Sequence, residues 1–293
     1  MLDLTGVTTA LITPFNGDNK VDTRALAGLV EAQLAAGVHG LLACGTTGET
    51  PTLTDDEYAL VVRTVVEAAG GRAPVLAGTG TNCTRTTIER TRKAGELGAD
   101  AALVVAPYYN KPQQRGMVRH FSDVAREGGL PVVVYNVPSR TGINIEPRTS
   151  ITLAAVDGIV AVKEASGSVE AVKTIAEAVA TDFTVLSGDD AKSLEFYKVG
   201  ARGVISVASN VAPGLVVKLW DLWKAGELDG AAALDRSLAP LFEALFVEPN
   251  PVPCKAAAMM LGICKDTVRL PLVQASSETR DLMAGVLEKL HLV

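Results

Sequence analysis

The apolar residues of this chain fall into two kinds of spacing. Short runs rich in Val, Ile, Leu and Ala, nearly unbroken by polar residues, recur every ~20 to 35 positions, and helical periodicity fills the stretches between them. Eight such runs predict strands over Val7–Ile12, Gly40–Cys44, Pro74–Gly78, Ala101–Ala106, Pro131–Asn136, Ile159–Lys163, Thr184–Gly188 and Gly203–Val207. A strand that does not alternate has both faces buried, as in a parallel sheet covered by helices. Eight of them separated by helices predict an α/β fold, a closed (β/α)8 TIM barrel.

The helical segments carry start and stop signals. Thr54 with Glu57 three residues later makes a capping box ahead of Tyr58, Val61, Val62 and Val65. Leu26, Leu29, Val30 and Leu34 form one stripe that ends at Gly37, a C-terminal cap. Beyond the last strand, helical patterns over Leu215–Lys224, Ala231–Leu245, Lys255–Gly262 and Glu278–Leu290 predict a C-terminal helical extension, residues 211–293, packed on a barrel of residues 1–210. No low-complexity linker separates the two, so no independently folding second domain is indicated. The stretch Glu248-Pro249-Asn250-Pro251-Val252-Pro253 reads as a rigid turn between helices.

Composition narrows the function. The 293 residues suit one barrel, and 48% hydrophobic with 4% aromatic content suits helices around buried parallel strands. A net charge of -6 and a pI of 5.2 give no basic footprint, so neither nucleic acid nor an anionic membrane is an expected partner. The N-terminus lacks the pattern of a signal peptide and no apolar run reaches the length of a span, which predicts a cytoplasmic protein. Cys44, Cys83, Cys254 and Cys264 contain no C-x-x-C pair and are expected to be reduced. His39, His120 and His291 show no zinc spacing, so no metal site is expected.

Candidate chemistry sits at strand ends, where barrel sites are built. Lys163 closes an otherwise apolar strand. Burial favours its neutral amine, the nucleophile that forms an imine with a ketone; the alternative is a lysine that snorkels or pairs with Glu164. Tyr135, one strand earlier, offers a phenol able to shuttle protons, or simply a packed ring. Gly45-Thr46-Thr47-Gly48-Glu49 is a hydroxyl-rich turn whose free N–H groups could hold a carboxylate. Cys44 is read as core packing because no histidine lies near it. A phosphate-binding barrel is disfavoured by the two carboxylates of Gly188-Asp189-Asp190.

Together with Pro107-Tyr108-Tyr109-Asn110-Lys111-Pro112 and Tyr135-Asn136-Val137-Pro138, these motifs occur in one order along essentially the whole chain. In that order the sequence resembles the dihydrodipicolinate synthase and N-acetylneuraminate lyase superfamily of class I aldolase-like barrels. The resemblance implies that Lys163 forms the Schiff base with pyruvate, that Tyr135 relays protons, and that the Thr46 hydroxyl links Tyr135 to Tyr109. It further implies that Tyr109 enters the neighbouring subunit's site across a tight dimer interface, within a homotetramer built as a dimer of such dimers. Thr46 and Thr47 would hold the pyruvate carboxylate, and the backbone of Ile205 would border the pocket. No cofactor is implied.

Arg140, in Pro138-Ser139-Arg140-Thr141-Gly142, separates the branches of that superfamily, since a guanidinium fork suits a second substrate bearing a carboxylate. The resemblance then implies condensation of pyruvate with L-aspartate 4-semialdehyde to 4-hydroxy-tetrahydrodipicolinate, in diaminopimelate and lysine biosynthesis. The alternatives are another pyruvate-dependent aldolase acting on N-acetylneuraminate or a 2-keto-3-deoxy sugar acid, and a catalytically silent barrel used for binding. Lysine-inhibited members carry an allosteric pocket whose matching positions here are Asp55, Tyr58 and Thr86, with Asn82 and Tyr108 retained. Without a glutamate at position 86 to pair with an ammonium group, the expectation is weak or absent inhibition by L-lysine.

Overall fold

A computed structural model describes residues 2–293 of the chain. Eight parallel strands, β1 (Gly6–Ala10), β2 (Gly40–Ala43), β3 (Val75–Gly78), β4 (Ala101–Val105), β5 (Val132–Asn136), β6 (Ile159–Glu164), β7 (Thr184–Ser187) and β8 (Gly203–Ser206), pair in sequence order. The barrel closes through β1 and β8, with Thr8 opposite Ile205. The helices between and after the strands are α1 (Thr23–Ala35), α2 (Asp55–Ala69), α3 (Thr84–Glu96), α4 (Gln114–Gly128), α5 (Pro138–Thr141), α6 (Pro147–Ala154), α7 (Val169–Ala178) and α8 (Ser193–Lys198). Beyond β8 come α9 (Pro213–Lys224), α10 (Leu228–Ala244), α11 (Val252–Met260) and α12 (Ser277–Lys289).

All eight predicted strands are present, displaced by at most two residues at either end. The largest difference is at β1, where the apolar run continues through Leu11 and Ile12 but the pairing stops at Ala10. Both residues remain buried, and the Ile12 N–H donates to Asn210 Oδ1 at 3.0 Å instead of to a strand. The run therefore records burial, and burial outlasts the ladder. Helix α11 likewise starts at Val252, ahead of the expected Lys255. Pro253 lies in its first turn, where the N–H that proline lacks would have had no helical partner.

Two apolar layers hold the fold. Between strands and helices, Leu26, Leu29 and Val30 of α1 and Val61, Val62 and Val65 of α2 pack against the outward residues of the strands. Each side chain buried in this way contributes about 1.5–3 kcal/mol relative to its exposure. Inside the barrel, Ala10, Leu42, Leu76, Leu103, Val133, Tyr135, Ala161, Leu186 and Ile205 form a second cluster. This inner layer is the floor on which the residues at the strand ends stand. No helix among the described residues is long and apolar enough to cross a membrane.

Candidate active site

Strand β6 reaches the site through an irregularity. Val132 pairs with Ile159 but Val133 pairs with Ala161, so one extra residue is taken up at the start of β6. Ile159 thereby joins the outer layer while Ala161 joins the inner one. An extra residue in a strand reverses the face its successors present, and the result is that Lys163 comes opposite Tyr135 at the barrel mouth. The Lys163 Nζ lies 4.3 Å from the centre of the Tyr135 ring.

Lys163 is 5% exposed. Burial lowers its pKa to about 8, the nearby carboxylate of Asp190 opposes that shift, and Arg140 adds to it. Burial pushes the Tyr135 phenol up to about 12, with Arg140 and the Thr46 hydroxyl acting in the other direction. The site thus pairs an amine that is readily neutral with a phenol that keeps its proton. Pairing between Lys163 and Glu164 does not occur: Glu164 projects to the other face of the strand and accepts from Asn136 Nδ2 at 2.9 Å and from the Ser166 N–H at 2.7 Å. Gly188 leaves room for the amine, since a Cβ there would stand 2.9 Å from Lys163 Cε and 2.7 Å from Ala165 Cβ.

The turn after β2 faces the same space. The N–H groups of Gly48 and Glu49 donate to the carbonyls of Gly45 and Thr46. Those of Thr46 and Thr47 have no acceptor among the described residues. Thr47 is buried, and its Oγ1 is bonded to Asn250 Nδ2 at 2.9 Å. A cavity of about 220 Å³ connects the turn to Lys163, Tyr135, Arg140 and Gly188, with Val207, Phe246 and Asn250 completing its wall. A second cavity, about 290 Å³, shares Thr46, Tyr135 and Arg140 with the first and extends toward Arg90 and Tyr108.

Arg140 lies on α5, the short helix that follows β5, with its side chain at the solvent-facing edge of both cavities. Ile205 does not line the cavity: it lies beneath, in the inner layer, and the residue from this part of the barrel that reaches the wall is Val207. Tyr109 is 88% exposed and lines neither cavity, on left-handed backbone at φ 71°. Asn82, Tyr108 and Asp55 lie at the surface, Asp55 beside Arg90 at 3.7 Å, and Thr86 follows on α3. Tyr58 is instead buried among the α2 core residues, and its hydroxyl has no partner among the described residues. Cys44 is buried, and burial pushes its thiol far above the range of a useful nucleophile.

Two residues of the site, Asn250 and Phe246, carry no chemical signal in the sequence. Both arrive from the segment that joins α10 to α11, and Asp190 is fixed by accepting the N–H groups of Val207 and Ala208 at 2.9 Å each. All four cysteines are free.

A model of the dihydrodipicolinate synthetase family matches residues 3–290. The 4-hydroxy-tetrahydrodipicolinate synthase of Magnetococcus marinus is 48% identical over 288 residues, spanning 98% of this chain and 98% of its own. The solved dihydrodipicolinate synthase of Thermotoga maritima superposes with a TM-score of 0.97 at 40% identity, covering 99% of each chain. The enzyme of Cyanidioschyzon merolae, solved with lysine bound, gives 0.97 at 38% identity and covers 100% of each.

Proposed function

The chain belongs to the dihydrodipicolinate synthetase family, and from that membership we propose that it condenses pyruvate with L-aspartate 4-semialdehyde to give 4-hydroxy-tetrahydrodipicolinate, toward diaminopimelate and lysine. One observation carries the reading: a buried amine with its pKa lowered to about 8 shares a cavity with a protonated phenol, two unpartnered N–H groups and a guanidinium.

The neutral amine of Lys163 attacks C2 of pyruvate, and loss of water leaves a protonated imine. The N–H groups of Thr46 and Thr47 and the Thr47 hydroxyl hold the pyruvate carboxylate. Tyr135 carries protons to the departing oxygen and from the methyl carbon, aided by Thr46, and the imine becomes an enamine. The enamine carbon attacks the aldehyde of the second substrate, whose carboxylate Arg140 holds. The amine of that substrate then adds to C2, closes the ring and displaces Lys163. Purified protein supplied with pyruvate should turn over aspartate semialdehyde and not sugar aldehydes. Turnover of sugar aldehydes alone would instead assign the chain to the sugar-acid aldolases.

Tyr109, exposed and held on strained backbone, completes the relay of a partner's site in a cytoplasmic homotetramer, a dimer of tight dimers. Of the positions that match the lysine pocket, Thr86 brings no carboxylate, Asp55 lies beside Arg90 and Tyr58 is buried in the core, away from Asn82 and Tyr108, which supports weak or absent binding of L-lysine.

A further inference from the structure

The carboxylate-binding turn comes from the first quarter of the chain but is held by the last. Glu49, its final residue, adopts left-handed backbone at φ 55°, unusual for a residue with a side chain, and its carboxylate is 3% exposed. The counter-ion is Lys255 of α11, itself 0% exposed, with Nζ 2.5 Å from Glu49 Oε1. Lys255 also donates to the Thr267 carbonyl at 2.7 Å and stands 4.1 Å over the Phe15 ring. The second Glu49 oxygen accepts the Arg269 N–H at 2.9 Å. Five residues before Lys255, the buried side chain of Asn250 holds the Thr47 hydroxyl.

Apolar side chains of similar volume would fill this space without the desolvation that a buried ion pair suffers. Neither Glu49 nor Lys255 lines the cavity, so the pair does not touch substrate. What it does fix is the backbone of a turn in a conformation that a residue with a Cβ avoids, and such strain persists only where the surroundings enforce it. Asn250 fixes the hydroxyl on the same turn.

We infer that Glu49, Lys255 and Asn250 are positioning residues, through which the C-terminal helices set the carboxylate site of the 2-oxo acid. The inference rests on the assignment of the turn to the pyruvate carboxylate given above. Under it, the residues matter for ligands that bear a carboxylate and not for the reactivity of Lys163 itself.

Borohydride trapping on Lys163 separates the two, with pyruvate compared against acetone, a ketone without a carboxylate. In the intact Glu49→Gln/Lys255→Met protein, which removes both charges together, the half-saturating pyruvate concentration should rise about tenfold, the loss expected for misaligned hydrogen bonds to a charged group. Trapping by acetone should be unchanged. Asn250→Ala removes no buried charge, should fold regardless, and should raise the half-saturating pyruvate concentration by a smaller factor. Pyruvate and acetone curves that shift together, or a pyruvate curve that does not shift in either variant, would overturn the inference. Absence of label on Lys163 in the unmodified protein would instead overturn the assignment of the active site.

Discussion

Around Lys163 the neighbouring charges pull in opposite directions. Burial and Arg140 favour the neutral amine, and Asp190 favours the ammonium. With a pKa of about 8, roughly a tenth of the amine is neutral at pH 7. Because the neutral form is the nucleophile and its fraction grows with pH, kcat/KM for pyruvate should rise with pH and level off above about 8. Initial rates that stay flat between about pH 6 and 9 would contradict this. Gly188→Ala drives a methyl group against Lys163 and Ala165, an overpacking cost of about 1–3 kcal/mol that should slow imine formation about tenfold. Arg140→Ala should raise the KM for aspartate semialdehyde about ten- to a hundredfold and slow trapping by pyruvate much less, since Arg140 only assists burial in keeping Lys163 neutral; equal losses in both would remove the guanidinium from its assigned role. Lys163 was legible in the sequence because an ammonium in an apolar strand is an anomaly that demands a cause. Asn250 was not, because its bond to Thr47 spans 203 positions and exists only after folding.

The elements follow local rules that the sequence displays openly, and they depart from them where tertiary bonds intervene. Thr54 caps α2 by accepting the Glu57 N–H, and Glu57 returns the bond to the Thr54 N–H. The same Glu57 carboxylate is gripped by Arg269, which holds its pKa down to about 2. Thr54→Ala should cost about 1 kcal/mol in urea denaturation with kcat unchanged, since the cap lies outside the cavities. Apolar runs located all eight strands because period and burial agree along them. They misplaced the end of β1, where Asn210 replaces a strand as hydrogen-bond partner. The irregularity that aims Lys163 inward had no sequence signal, since Ile159, Val160 and Ala161 are all apolar and either register satisfies the pattern.

On the scale of the whole molecule, the barrel supplies the reacting groups and the segment between α10 and α11 completes the cavity wall through Phe246 and Asn250. If Tyr109 completes a partner's relay, Tyr109→Ala should lower kcat with little change in the pyruvate concentration that half-saturates Lys163. Sedimentation at micromolar concentration should show a tetramer, and a fully active monomer would contradict the cross-subunit role. L-lysine below millimolar concentration should leave steady-state rates unaltered; strong inhibition would mean that the pocket beside Asp55 and Arg90 still recognises an ammonium. The proposed chemistry depends on which nitrogen captures the 2-oxo acid. Incubation of the intact protein with pyruvate and borohydride, followed by peptide mass mapping, should place a single adduct on Lys163 and none in Lys163→Ala. An adduct on another lysine, or full synthase turnover by Lys163→Ala, would contradict it.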